Sequence, residues 1–295
     1  MTRWFAGQRP RAGRTSVADL PEPAWVDADR FTIDGVDFTS SFEPSRSATD
    51  FCVRKPRALI ERTLAHLSEH RPRRIVELGI ASGGGTALLA LAARPELLLA
   101  LEIDTDRVVA LDELIVARAL GAEVRTHYGV DQSDAGRIGT LVAEVFGARP
   151  IDLVVDDASH RFAESRASFE ILFPRLRTGG HYVIEDWNWQ LRLAHSIAAA
   201  GQPAAASDRR PSGQPAGGDA DLQRRVSEYV RANWSTPPLE RLALELVLAR
   251  ACSRDLIGTI RIEAEQVIVE RGSAPIDAAT FRLTDYYTAA ADVLG

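Results

Sequence analysis

Cysteine and lysine are nearly missing from this chain: Cys52, Cys252 and the single lysine, Lys55, are all it has among 295 residues. Two cysteines distant in sequence build neither a disulfide framework nor a CxxC zinc site, which suits a reducing compartment. Positive charge is therefore almost wholly arginine, and 35 basic against 41 acidic residues leave a net charge of -6. A negative chain without a basic stripe repels phosphate, so no nucleic-acid partner is expected. No apolar run nears the roughly 18 residues that span a bilayer, and the first residues lack the hydrophobic segment of a secretory signal. The expectation is a soluble, cytoplasmic protein with no membrane partner. Residues 1–18 hold four arginines and no acid. That composition is like a transit peptide, and the segment is read as a loose tail.

The length allows a full core and suits one α/β domain with additions. FTIDGVDFTSSF, residues 31–42, alternates around Asp34-Gly35 and predicts a small covering hairpin. KPRALIERTLAHL predicts a helix with Pro56 in its first turn and Leu59, Ile60, Leu64 and Leu67 on one stripe. From Arg73 onward, short apolar runs alternate with longer amphipathic segments, the pattern of a mostly parallel, doubly wound, Rossmann-like sheet. Strands are expected at RRIVELGI, LLLALEI, EVRTHYG, IDLVVDD and HYVIEDW, with helices near 84–93, 105–120, 134–147 and 162–176. Right-handed crossovers place the strand ending at Asp157 beside the one ending at Glu185. Residues 197–220, rich in alanine, glycine, proline and serine, read as a flexible insertion. A helical stretch over 221–250 is interrupted by Pro237-Pro238, and IGTIRIEAEQVIVERG closes the chain as an antiparallel hairpin on the sheet edge. The expected division is residues 1–54 as tail and covering segment and 55–295 as the main domain.

RIVELGIASGGGTALLALA reads as strand, glycine turn, helix, which brings backbone N–H groups and a helix N-terminus to the carboxyl edge of the sheet. Gly79, Gly83, Gly84 and Gly85 let a ligand approach the main chain. Their spacing is G-x-x-x-G and not the G-x-G-x-x-G of a dinucleotide site, which disfavours NAD. The next strand ends at Glu102, where doubly wound folds place a carboxylate for the ribose hydroxyls.

Together these residues resemble the class I methyltransferases that use S-adenosylmethionine: Glu77-Leu78-Gly79 with Gly83 fits their first motif, and Glu102 their ribose-binding acid. The closing pair of strands is similar to the hairpin that marks the family. The resemblance implies a cofactor site of Glu77, Gly79, Gly83, Gly85 and Glu102, with Glu77 near the methionine ammonium. It extends that site to Asp131 and Gln132 on the adenine side, and to Asp156. For Asp131, the other reading is an N-cap of the helix over 134–147.

Asp156, Asp157, Glu185 and Asp186 end two strands at one sheet edge. Such crowding raises carboxyl pKa values unless a cation relieves it, and all-oxygen ligands favour magnesium, calcium or manganese over zinc. Alternation along each strand points Asp156 and Asp157 to opposite faces. The ligand choice comes from a second resemblance: D-D-A-S-H followed by I-E-D-W is similar to the metal-dependent macrolide sugar O-methyltransferases, a group sharing features with proteins named cephalosporin hydroxylases. It implies Asp157, Glu185 and Asp186 as metal ligands and His160 as the catalytic base. The long N-terminal region of those enzymes has no evident counterpart here, which leaves the acceptor open and with it a homo-oligomeric state.

The implied protein is an enzyme, a magnesium- or other hard-cation-dependent O-methyltransferase acting on a small hydroxylated molecule, a sugar or polyketide-type natural product. Two alternatives stand beside it: methyl transfer to catechol-like phenols, and a repurposed S-adenosylmethionine-binding protein without catalysis. His66 and His70 read as surface or packing residues on the first helix, Trp187 and Trp189 as a pocket wall or plain core, and residues 197–220 as a lid or a dispensable loop.

Overall fold

Short runs of β-branched and leucine residues, buried on both faces, form the central strands of the larger sheet, and the helices between them carry charge, the uncharged and buried helix over Gly84–Ala93 excepted. The computed structural model describes residues 20–41, 50–200, 230 and 234–287. Two compact units divide the chain, residues 1–131 with 140–153 and residues 132–139 with 154–295.

The first unit begins with a four-stranded sheet in the order β1 (Ala24–Trp25), β2 (Arg30–Ile33), β3 (Val36–Ser40), β4 (Phe51–Val53). The expected hairpin is β2–β3, antiparallel from Arg30↔Thr39 to Ile33↔Val36. Its two-residue turn, Asp34-Gly35, has positive φ at both positions, the twist that tight hairpins require. Phe31 stacks on Phe38 at 5.1 Å between centroids. Helix α1 (Arg57–His70) follows Pro56, and it buries Leu59, Ile60, His66 and Leu67, while Leu64 is half-buried.

β5 (Arg74–Leu78), α2 (Gly84–Ala93), β6 (Leu97–Leu101), α3 (Val109–Ala117) and β7 (Val124–His127) then alternate, with β5–β6 and β6–β7 parallel. Ile75, Val76, Leu78 and Leu98 through Leu101 are at most 2% exposed, the double-sided burial of a parallel sheet. The register pairs Leu78 with Leu101, so Gly79 and Glu102 leave their strands side by side, and the Gly79 N–H donates to the Leu101 carbonyl at 2.9 Å.

α4 (Ala135–Phe146) and β8 (Ile151–Asp156) each lie partly in both units. In the second unit come α5 (Phe162–Leu172), a 3-10 turn at Phe173–Arg175, β9 (Leu176–Glu185), α6 (Trp189–Ala200), α7 (Glu240–Cys252) and the antiparallel pair β10 (Ile257–Ile262) and β11 (Gln266–Arg271). β11 is antiparallel to β9 also, with Gln266 opposite Glu185. The larger sheet runs β10-β11-β9-β8-β5-β6-β7. This is the expected doubly wound α/β fold with an antiparallel edge, and β8 and β9 are neighbours as the crossover rule requires.

Three boundaries differ from expectation. α3 starts at Val109 and not near 105, because Asp104 accepts the Asp106 N–H at 3.1 Å and holds a turn there. β9 begins at Leu176, five residues ahead of the expected strand, and runs through Gly179-Gly180 with Gly179 at φ +71°. α6 continues to Ala200, so the first residues of the expected insertion are helical; its remainder, the helical stretch over 221–229 and the tail at 1–18 lie outside the described residues.

Candidate functional site

Strand β5 delivers Glu77 beneath the glycine turn. Its carboxylate is 3% exposed, and Oε2 accepts a 2.6 Å hydrogen bond from Thr86 Oγ1, one turn into α2. Gly85 makes room for that carboxylate, since a Cβ there would lie 2.6 Å from Glu77 Oε1. Gly79 at φ +96° and Gly83 at φ +84° turn the chain from strand into helix, a left-handed backbone that glycine adopts without a Cβ penalty. Between them Ala81 is held at φ +48°. Glu102 braces this turn: Oε2 accepts the N–H groups of Ile80 and Ala81 at 2.9 and 2.7 Å, and Oε1 accepts that of Asp104 at 3.0 Å. The exposed Asp131 is not the cap of α4, whose first turn is held by Asp134 accepting the Arg137 N–H at 2.9 Å.

Strand β8 ends by separating its two acids, as alternation requires. Asp156 is 2% exposed, and its carboxylate accepts Ser168 Oγ at 2.8 Å, Tyr182 Oη at 3.0 Å and Gln132 Nε2 at 3.2 Å. Burial pushes the Asp156 carboxyl above its ordinary value despite the hydroxyls of Ser168 and Tyr182, which favour the charged form. The same burial holds the Tyr182 hydroxyl well above the usual tyrosine value, aided by the charge of Asp156. The upward shift expected from crowded acids thus has a different cause at Asp156, removal from water. Gln132 is equally enclosed: Nε2 donates to Asp156 and Ser168, and Oε1 accepts the Ser159 N–H at 2.9 Å. Asp156 and Gln132, both expected as cofactor contacts, direct these polar atoms into an internal network.

Asp157 turns the other way. It gathers with His160 and Asp186, each offering one ligand atom within 4.8 Å of the others. His160 Nε2 stands 3.7 Å from Asp157 Oδ1. Both His160 and Asp186 adopt left-handed backbone, φ +53° and +48°. The Trp189 indole N–H donates to the His160 carbonyl at 2.9 Å, Trp189 meets Trp234 edge-on at 6.1 Å, and the Trp187 indole N–H donates to the Glu263 carbonyl at 3.0 Å. Glu185, expected as a ligand, is not in this cluster. It is 3% exposed, and its Oε1 accepts Gln266 Nε2 at 3.3 Å across the β9–β11 pair. The carboxylates of Asp157 and Asp186 are hard oxygen donors that fit a divalent cation, with the His160 imidazole beside them.

Sequence reasoning missed Thr86, Ser168 and Tyr182. Ser165 and Ser168 share the buried face of α5 with Phe162, Phe169 and Leu172, and hydroxyls on an apolar stripe were the available signal.

Residues 76–187 match the family described as Methyltransferase domain. A tetracenomycin rhamnosyl 3'-O-methyltransferase of Streptomyces olivaceus is 34% identical over 134 residues, covering 43% of this chain and 31% of that protein. Mycinamicin VI 2''-O-methyltransferase of Micromonospora griseorubida is 33% identical over 129 residues, 41% of this chain and 29% of that protein. The chain thus spans under a third of the length of these relatives. Among solved structures, the MycE methyltransferase of the mycinamycin biosynthetic pathway, in complex with Mg, SAH and mycinamycin VI, is 26% identical, covers 72% of this chain and 49% of its own, and has a TM-score of 0.46. No described helix is long and apolar enough to cross a membrane. The segment over residues 76–187 is thus similar to a methyltransferase domain, and part of the chain is similar in sequence to two O-methyltransferases of glycosylated natural products.

Proposed function

We propose that this protein methylates a hydroxyl on a sugar of a polyketide-type natural product, using S-adenosylmethionine and a hard divalent cation. It rests on one observation: Asp157, His160 and Asp186 converge within 4.8 Å inside the matched segment. The two relatives named above, both sugar O-methyltransferases, support the acceptor class.

In this reading, Gly79, Gly83 and Gly85 leave the main chain open to the cofactor, Glu77 faces its amino acid end, and Glu102 takes the ribose hydroxyls in exchange for some of the backbone N–H groups it now holds. Asp157 and Asp186 hold the cation, and Glu185 joins them only by turning from Gln266. When bound, the cation makes an alcohol easier to deprotonate and S-adenosylmethionine supplies an electrophilic methyl. His160 Nε2, facing the carboxylates, accepts the proton that the hydroxyl loses as its oxygen bonds to the methyl and the sulfur–methyl bond breaks. Trp189 holds the His160 carbonyl so that the imidazole keeps that position.

The test is methyl transfer from S-adenosylmethionine to a panel of rhamnosylated and olivosylated polyketides beside catechol, with magnesium and after chelation. Turnover of a glycoside is expected, lost on chelation and reduced by about a hundredfold or more in His160→Ala and Asp157→Ala. Turnover of catechol alone, or near-normal rates in both variants, overturns it.

A further inference from the structure

We infer that Gln132 is a positioning residue that sets the geometry of the cation cluster by gripping one backbone atom. This rests on the reading of Asp157 and Asp186 as cation ligands. Gln132 is 6% exposed, and its carboxamide has a ligand at each end. On one side Nε2 is fastened to Asp156 and Ser168, 3.2 Å to each, and Asp156 is itself held by Ser168 Oγ and Tyr182 Oη. On the other side Oε1 accepts the Ser159 N–H at 2.9 Å. Ser159 sits inside the turn that begins with Asp157 and ends with His160.

That turn needs a grip. His160 is left-handed at φ +53°, a backbone conformation that costs a non-glycine residue roughly 1–2 kcal/mol. Such a conformation persists only where its surroundings fix it. Three side chains do so here: Asp156 on the Ala158 N–H, Gln132 on the Ser159 N–H, and Trp189 on the His160 carbonyl. Without the carboxamide, the Ser159 N–H loses its acceptor, the turn relaxes, and His160 departs from Asp157. Gln132 acts on the turn through the main chain, at the Ser159 N–H.

The experiment compares Gln132→Met, which keeps the length and removes both polar ends, with Ser168→Ala and Tyr182→Phe, which damage the same network without touching Ser159. Each is measured by manganese binding followed by electron paramagnetic resonance, by hydrogen exchange at the Ser159 amide, and by Tm. Gln132→Met is expected to weaken manganese about tenfold or more and to speed Ser159 exchange. The two controls are expected to lower Tm with manganese affinity within about twofold of the parent. Parent-like manganese binding by Gln132→Met, or a loss in all variants that merely follows Tm, overturns the inference while leaving the cluster standing. Failure of the unaltered protein to bind manganese overturns the cluster reading, and the inference with it.

Discussion

Tyr182 carries its hydroxyl into the fully enclosed network around Asp156, and that burial has a measurable sign. Its folded pKa lies above the unfolded value of about 10. The stability it contributes is therefore complete below about pH 10 and is lost as pH rises toward the folded value. Phenylalanine at 182 has no such dependence, although it forgoes the 3.0 Å bond to Asp156, worth about 1 kcal/mol. The Tm of Tyr182→Phe relative to the parent is expected to be negative near about pH 8 and to move in the variant's favour toward about pH 11. A constant difference across that range would count against this sign. The alternation rule read correctly that Asp156 and Asp157 face opposite ways. Their partners were not readable, because Gln132, Ser168 and Tyr182 come from three separate segments and no local pattern joins them.

At the scale of elements, the turn from β5 into α2 is held by an acid from the next strand. Glu102 accepts three backbone N–H groups, so its carboxylate orders the turn before any cofactor arrives. On the proposed function, Glu102→Ala is expected to weaken S-adenosylhomocysteine by about tenfold or more, read by calorimetry, because the ordered turn and the acid proposed for the ribose disappear together. The elements themselves were largely legible: double-sided apolar runs marked β5, β6 and β8, and α2 lies at residues 84–93 as read. β4 was not. Phe51–Val53 is three residues long and pairs in parallel with β3, a contact that no periodicity reveals. It settles against Gly84, where an added Cβ would collide with the Cys52 carbonyl oxygen, so the glycine string serves packing beside the ligand approach proposed for it.

For the whole molecule, the glycine turn and the acid cluster belong to different compact units, the first holding Glu77 and Glu102 and the second Asp157, His160 and Asp186. Effects at sites without shared partners add. Glu102→Ala is expected to leave manganese affinity within about threefold of the parent, and Asp157→Ala to do the same for S-adenosylhomocysteine. Loss of both ligands in either variant would show that the two sites are coupled.

The left-handed backbone at His160 and Asp186 sets robustness against chemistry. Glycine would fit both positions more comfortably than any side chain, so His160→Gly is expected to exceed His160→Ala in unfolding free energy by roughly 1 kcal/mol while being equally inactive. A library screened for heat resistance alone would drift toward glycine there and breed a sturdier, inert protein.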